Sequence, residues 1–285
     1  MQSTIRRVEI PGGALRVRVA DVPGTPCLLV HGGPGGTDYL FKFFAGPVAH
    51  AGMQPISFIQ RGSPGSPSDG PFTIDEMSRD IERVREALGL ESVAIVAHSF
   101  GCLLSGAWAS TRPARVRRLV FIAPVGPRAG WREAFEEELR SRLTGEELQR
   151  IAALREQARA AAGDAAEYQR LKFEIANIQV RGYYAPAYRD SQPGLAELTI
   201  RVREAALQDL QRWQQDRAWE AGLRAVAAPA HVIHGEQDPI PSFVAEQWAE
   251  MVPGMRQHPL PTCGHFPWFE DKGAFWEAFE DAIRD

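Results

Sequence analysis

The chain has 285 residues, and 44% of them are hydrophobic, which suffices for one large domain with a substantial core. A formal net charge of −4 and an isoelectric point near 6.0 exclude the strongly basic surface that is typical of nucleic-acid-binding proteins. No run of sequence approaches the roughly 18 consecutive apolar residues of a membrane span. We therefore expect neither a nucleic acid nor a membrane as a partner.

The cysteines and the N-terminal sequence bear on the cellular compartment in which the protein is expected. Cys27, Cys102 and Cys263 are far apart, odd in number and without metal-ligand spacing, which fits a reducing environment better than a disulfide framework. The first residues lack the apolar stretch of a signal peptide. The sequence predicts a cytoplasmic protein without a metal site, and it carries no signal for an oligomeric state.

The N-terminal elements follow one another closely. Residues 5–10 and 15–20 alternate between apolar and polar side chains around a Pro-Gly-Gly turn, which predicts a β-hairpin. A short apolar strand over 27–30 leads into a glycine-rich stretch. A helix over about 39–51 and a strand over 55–60 are expected to follow.

The next elements repeat the alternation of strand and helix. Thr73 and Glu76 have the spacing of a capping box for a helix that runs to about residue 88. Four apolar residues at 93–96, without alternation, predict a buried parallel strand. A helix to about residue 111 and a strand over 118–123 come next, so the pattern predicts a parallel α/β sheet.

The composition then changes, and later changes back. From about 131 to 220 the chain is rich in Ala, Glu, Arg, Gln and Leu, and apolar residues recur at helical spacing. Among them are Leu139, Leu143, Leu148, Ile151 and Leu154. Sheet-forming sequence resumes with a strand over 230–234, a helix over 241–251, a strand over 257–260 and a helix over 272–284.

This order predicts a two-part organisation. We expect residues 1–126 and 226–285 to form one core domain, with a mostly parallel central sheet flanked by helices. Residues 127–225 are expected to form an all-helical cap of about four helices, inserted between two strands. A separate helical domain is the weaker interpretation, because strand and helix alternate again after the insertion.

Ser99 lies where the predicted strand at 93–96 turns into a helix. The sequence there is Ala97-His98-Ser99-Phe100-Gly101. A nucleophile elbow needs small residues two positions before and after its serine, because strand and helix nearly touch at that corner. The alternative is a helix N-cap serine at an ordinary strand–helix junction.

Two more candidates follow the ends of predicted strands. Asp238 comes after the strand at 230–234, and His265 follows Gly264 near the end of the last strand. With Ser99 they have the order nucleophile, acid, base, so His265 would take the serine proton and Asp238 would orient the imidazole. Alone, Asp238 could belong to a turn and His265 to a loop, and Glu236 is a rival acid.

The glycine-rich stretch His31–Gly36 supplies the remaining part of such a site. It lacks the residues of a phosphate-binding loop. In this position a His-Gly-Gly segment offers one backbone N–H to an oxyanion, and the residue after the nucleophile offers the other. We assign these donors to Gly33 and Phe100, and we expect His31 and His98 to brace the loop and the elbow.

Taken together, these segments resemble the proline iminopeptidase branch of the α/β-hydrolases. The resemblance covers the whole sheet domain and rests on His31-Gly32-Gly33-Pro34-Gly35, Gln60-Arg61-Gly62, the Ser99 elbow, Gly235-x-x-Asp238 and Gly264-His265. It implies the α/β-hydrolase fold and a cap in the position of the helical insertion. The chain departs from the family pattern at Ile59 and at the residues flanking Ser99, and Glu174 is the nearest candidate for the cap glutamates that hold a substrate's α-amine.

The predicted function is that of a serine hydrolase that forms an acyl-enzyme and needs no metal or organic cofactor. The resemblance implies small peptides or amides with an N-terminal proline or another apolar residue as substrates. A carboxylesterase acting on small esters is the alternative, and a ligand-binding member of the fold without catalysis is the third. The partner is expected to be a small molecule or a short peptide.

Overall fold

An eight-stranded sheet forms the centre of the molecule in a computed structural model that describes residues 1–190 and 194–284. The strands are β1 (Ser3–Ile10), β2 (Gly13–Ala20), β3 (Thr25–Val30), β4 (Met53–Phe58), β5 (Val93–His98), β6 (Val116–Ile122), β7 (Ala230–Gly235) and β8 (Arg256–Leu260). Their order across the sheet is β1-β2-β4-β3-β5-β6-β7-β8. Only the pairs β1–β2 and β2–β4 are antiparallel among them, so the predicted hairpin and the predicted mostly parallel sheet are confirmed.

Helices surround this sheet. They are α1 (Tyr39–His50), α2 (Ile74–Ala87), α3 (Phe100–Thr111), α4 (Arg132–Ser141), α5 (Gly145–Ala160), α6 (Ala165–Gln179), α7 (Ile200–Trp213), α8 (Glu220–Leu223), α9 (Phe243–Met251), α10 (Pro267–Glu270) and α11 (Lys272–Arg284). Two short 3-10 turns are present at Pro113–Arg115 and Val180–Tyr183. None of the helices in the described part of the chain is long and apolar enough to span a membrane.

Strand β5 shows why the sheet is buried on both faces. Val93, Ile95 and Ala97 belong to one hydrophobic cluster, whereas Ala94 and Val96 belong to another. Successive side chains of a strand point to opposite faces, so an uninterrupted apolar run divides itself between two cores. This central strand therefore packs against hydrophobic clusters on both faces, and this packing fixes the position of its C-terminal end.

The described residues between β6 and β7 contain helices α4 to α8 and no strand. Helices α5 and α6 build a small cluster of their own around Ile151, Leu154 and Leu171. Helix α7 differs, because Val202 and Leu210 join the cluster of the main sheet. The predicted 127–225 and 226–285 segments also include residues 191–193 and 285, which lie outside the described residues.

One local prediction in the helices is wrong. Thr73 does cap α2, since its side chain accepts a hydrogen bond from the Glu76 N–H, but the Glu76 carboxylate pairs with nearby arginines instead of completing a capping box. A complete capping box forms at Thr144 and Glu147, which begin α5. Leu148 is exposed, whereas the other four apolar residues that recur with it at helical spacing are buried.

Candidate active site

Ser99 occupies a strained corner between β5 and α3. Its φ of 54° and ψ of −120° lie in a region that residues other than glycine rarely adopt, at a cost of about 1–3 kcal/mol. The Ser99 side chain makes no capping hydrogen bond to α3, so it does not behave as an ordinary N-cap. The strained backbone leaves the hydroxyl free to face the residues across the sheet edge.

The corner at Ser99 requires glycine at two nearby positions, because other atoms approach these positions closely. A Cβ atom on Gly101 would lie 2.2 Å from the Val30 carbonyl oxygen, and one on Gly32 would lie 2.7 Å from the Cβ of Ser99. Both distances are shorter than any tolerated van der Waals approach, so glycine is needed at each position. The loop after β3 and the first turn of α3 therefore meet at the elbow.

The three predicted triad residues form one hydrogen-bonded chain. His265 Nε2 lies 2.9 Å from Ser99 Oγ, and His265 Nδ1 lies 2.6 Å from Asp238 Oδ2. The other Asp238 oxygen accepts a hydrogen bond from the Ile240 N–H at 2.8 Å, which fixes the carboxylate plane. Glu236, the rival acid, is exposed. All three triad side chains are buried, with geometry suited to proton transfer.

Glu270 holds the loop that carries His265, and sequence analysis did not find it. Its carboxylate accepts hydrogen bonds from the N–H groups of Gly264, Phe266 and Ala185. Burial raises the pKa of Glu270, and these three hydrogen bonds oppose the rise. The acidic pair Glu270-Asp271 directly follows the aromatic-rich residues 266–269, and it was the signal for Glu270 in the sequence. Glu270 thereby positions the loop of His265 through backbone N–H groups.

Gly33 and Phe100, the predicted oxyanion donors, line the same cavity as Ser99. Gly33 has a φ of +61° and nothing within 4 Å of its missing Cβ, so its loop is open towards the cavity. Phe100 is the first residue of α3, and its N–H therefore has no partner within the helix. The neighbouring Gly32 N–H is already used, because it donates to the Tyr39 hydroxyl at 2.9 Å.

His98 and Tyr39 join the elbow to the glycine-rich loop. The Tyr39 hydroxyl hydrogen bonds to His98 Nδ1, and His98 Nε2 lies 2.9 Å from the His265 carbonyl oxygen. Burial and the nearby His265 lower the pKa of His98 well below its ordinary value, which keeps its ring neutral. His98 thus joins the elbow to the His265 loop through a hydrogen bond, and Tyr39 is a second residue that sequence analysis missed.

His31 and the Gln60-Arg61 pair also make structural contacts. His31 Nε2 accepts a hydrogen bond from the Gln60 N–H at 3.1 Å, and burial lowers the pKa of His31 to about 4. Arg61 is fully buried and forms a bidentate ion pair with Asp80 at 2.6 and 2.7 Å. These family-like residues brace the loops after β3 and β4.

The cavity above Ser99 has a volume of about 950 Å³ and is bounded by core loops on one side and by helices α4 to α7 on the other. Two aromatic rings lie close to the His265 ring. The Tyr183 ring centre lies 5.0 Å from that of His265, and the Phe266 ring centre lies 5.2 Å from it. Glu174 does not line this cavity, because it pairs with Arg150 at 2.6 Å on the surface.

One group of side chains among the described residues has ligand atoms close enough for a metal ion. His231 Nδ1 and His258 Nε2 lie 3.0 Å apart, and an Asp281 oxygen lies 3.9 Å from His258 Nε2. The two imidazoles share a hydrogen bond, and Arg256 also reaches the Asp281 carboxylate at 3.5 Å. These contacts account for the cluster without an ion, and none of its members lines the cavity above Ser99.

Comparison with known proteins agrees with this architecture. Residues 25–272 match the sequence profile of the α/β hydrolase fold family, and the chain belongs to that family. It is 23% identical to a proline iminopeptidase of Lactobacillus delbrueckii subsp. bulgaricus, over 90% of this chain and 88% of the other. It is also 25% identical to a 2-hydroxymuconate semialdehyde hydrolase of Pseudomonas putida, over 97% and 94% of the two chains.

A solved structure extends the likeness to the fold. The proline iminopeptidase of Mycobacterium smegmatis superposes with a TM-score of 0.67 at 20% identity, covering 98% of this chain and 97% of that one. The predicted fold class and the predicted resemblance to the proline iminopeptidases are confirmed. The relatives named here are all hydrolases, although they act on different substrates.

Proposed function

We propose that the protein is a serine hydrolase that cleaves an ester or amide through an acyl-enzyme. The observation that carries this proposal is the continuous hydrogen-bonded chain from Ser99 Oγ through His265 to Asp238, at 2.9 and 2.6 Å, beneath a cavity large enough for a substrate. The membership of the α/β hydrolase family supports it.

The proposed reaction has two halves. Ser99 Oγ attacks the substrate carbonyl carbon while His265 Nε2 takes the hydroxyl proton, and the resulting oxyanion accepts hydrogen bonds from the N–H groups of Gly33 and Phe100. His265 then protonates the leaving alcohol or amine, whose bond to the carbonyl carbon breaks. Water deprotonated by His265 attacks the acyl-enzyme, and the acid leaves as Ser99 regains its proton. Asp238 stabilises the imidazolium at both stages.

A prolyl aminopeptidase is the first candidate for the substrate class. The sequence from His31 to Gly35, the Gln60-Arg61-Gly62 segment and the similarity to proline iminopeptidases over 90% of the chain support it. Such an enzyme needs an acidic group for the substrate's free amine. Residues 127–225 are proposed as the lid that would supply this group and select the substrate.

A carboxylesterase is the second candidate, and the lining of the cavity favours it. Of the three acidic residues among the described lining, Asp38 hydrogen bonds to Ser57, whereas Glu136 and Glu197 are exposed. None of these carboxylates is both buried and unpartnered, as an amine-binding group would be. The apolar parts of the wall instead suit an uncharged acyl chain.

One experiment tests the proposal and separates the two substrate classes. The pure protein is treated with a fluorophosphonate probe and assayed with aminoacyl para-nitroanilides beside para-nitrophenyl esters of varied chain length. We expect a single adduct on Ser99 and the loss of both labelling and turnover in Ser99→Ala. Labelling at another residue, or full turnover by Ser99→Ala, would refute the proposal. Absence of both labelling and turnover in the folded wild type would instead favour a ligand-binding protein.

A further inference from the structure

We propose that Arg203 forms an anion-binding subsite in the cavity, so that the substrate carries a carboxylate in addition to the bond that is cleaved. This inference rests on the proposed serine hydrolase, because it names the substrate class for the same cavity. It differs from the aminopeptidase expectation in the sign of the charge that the substrate would present.

Arg203 lies where it can contact a ligand in the cavity. It lies on α7, is only partly exposed and lines the cavity that also contains Ser99 and His265. No carboxylate among the described residues forms an ion pair with it, although most other arginines on the neighbouring helices have such a partner. A partly buried guanidinium without an anion is costly, and a bound carboxylate would satisfy it.

Tyr183 connects this arginine to the catalytic end of the cavity. The Tyr183 ring stands edge-on to the His265 ring at 5.0 Å, and its backbone carbonyl accepts a hydrogen bond from the His265 N–H at 2.9 Å. Burial raises the pKa of Tyr183, while the charge of Arg203 and a hydrogen bond from it oppose the rise. Since guanidinium has five N–H donors, a contact with Tyr183 leaves others for a ligand.

The lining of the cavity carries more positive than negative side chains, which favours binding of an anion. Its described cationic lining residues are Lys42, Arg132, Arg140, Arg155 and Arg203. Its described acidic ones are Asp38, Glu136 and Glu197. Asp38 is already engaged by Ser57 at 2.6 Å and Arg18 at 3.7 Å, and Glu136 lies 3.8 Å from Arg132. The lining is therefore cationic on a chain with a net charge of −4, which would concentrate an anionic substrate there.

Two matched ester pairs test the inference and show which half of the substrate bears the charge. The first pair is the para-nitrophenyl monoester of glutaric acid against para-nitrophenyl valerate, which places the carboxylate in the acyl half. The second is para-carboxyphenyl valerate against para-carbamoylphenyl valerate, which places it in the leaving group. We expect Arg203→Met to lower the anionic-to-neutral ratio of kcat/KM by about tenfold or more in one pair, mainly through KM, and Arg203→Lys to recover part of it.

Arg201→Met is the matched control. Arg201 is on the same helix and is exposed, and it contacts the Ser68 carbonyl and the Phe72 ring instead of the cavity. In Arg201→Met the anionic-to-neutral ratio of kcat/KM should remain within about twofold of the wild-type value, because the same charge is removed from a surface outside the cavity. A ratio that is unchanged in Arg203→Met for both pairs, or that falls equally in Arg201→Met, overturns the subsite.

Binding without turnover gives an independent readout. Glutarate should slow fluorophosphonate labelling of Ser99 in the wild type but not in Arg203→Met, and valeramide should not distinguish the two proteins. Equal protection of both proteins by glutarate contradicts the inference. If Ser99 does not label at all, the serine hydrolase proposal fails, while calorimetric titration with glutarate still decides whether an anion binds through Arg203.

Discussion

The two walls of the cavity are held in different ways. On the core side, Gly32, Tyr39, His98 and the His265 loop are joined by buried or partly buried hydrogen bonds, most of which involve the backbone. On the helical side, α5 and α6 enclose a small apolar cluster and are tied by surface ion pairs such as Arg150 with Glu174. Exposed ion pairs contribute about 0–1 kcal/mol each. The core wall therefore holds Ser99 and His265 in position, whereas surface ion pairs add little to the stability of α5 and α6.

The largest expected effect falls on the core wall. Asp238→Asn should lower kcat by roughly 10³ to 10⁴, because an amide no longer holds the imidazole in the required tautomer or stabilises its charge. Glu236→Gln is the matched control two residues away, and its kcat should stay within about twofold, since that carboxylate is exposed. Steady-state rates with the best ester substrate measure both. Similar losses in the two variants would remove Asp238 from the proposed triad.

Alanine substitutions of two glycines, one near each wall, should change the free energy of unfolding in opposite directions. Gly101→Ala should lower the free energy of unfolding by about 3 kcal/mol or more, because the added Cβ would lie 2.2 Å from the Val30 carbonyl oxygen. Gly145→Ala, at the start of α5, has nothing within 4 Å of the new atom and should raise it by about 0.4–1 kcal/mol. Urea denaturation followed by tryptophan fluorescence compares the two, and a destabilised Gly145→Ala would contradict the expected difference.

The two walls should also respond to acid in different pH ranges. Burial lowers the pKa of His31 from 6.5 to about 4, so the folded state binds fewer protons there than the unfolded state. Stability from this group is present above pH 6.5 and is lost as the pH falls towards 4, by about 3 kcal/mol in total. His31→Gln should reduce this loss.

Glu147 on the helical side provides the matching measurement. Burial raises its pKa, but hydrogen bonds from the Thr144 N–H and the Arg189 side chain outweigh this and lower the value from 4.5 to about 2. The stability it supplies is present above pH 4.5 and is lost between 4.5 and 2. Urea midpoints from pH 7 to 3 should therefore separate His31→Gln from Glu147→Gln, and coincident pH profiles would contradict this assignment.

The smallest effect is expected at Glu174. Glu174→Gln breaks only a surface ion pair with Arg150 and the weaker one with Arg170, so the free energy of unfolding should change by less than about 1 kcal/mol. The KM for a prolyl para-nitroanilide should stay within about twofold, because Glu174 does not line the cavity. A large rise in that KM alone would return Glu174 to the role of amine-binding residue.

The residues of the core wall could be predicted from the sequence because local sequence patterns determine their positions. The apolar run of β5, the small residues around Ser99 and the positions of Asp238 and His265 after strand ends follow from strand period, contact distance and chain order. The structure brings these three side chains together as that pattern predicts.

Other features depend on contacts between distant segments and were missed for that reason. Tyr39 and Glu270 matter through groups that lie far from them in sequence or on a separate loop, namely His98 and Ala185. Leu148 fits a helical period but faces the cavity, because the partner surface of a helix is decided by its neighbours and not by its own pattern. The Glu76 carboxylate likewise contacts Arg61, which lies outside α2.

The hydrogen bonds that link His265 to Tyr183 and Glu270 to Ala185 have a mechanical consequence. They fasten residues 183–185 of the helical segment to the loop that carries His265. A movement of α4 to α6 that widened the cavity while these bonds stayed intact would leave His265 in place beside Ser99. Ligands that entered or left past these helices would then leave the hydrogen bonds between Ser99, His265 and Asp238 assembled.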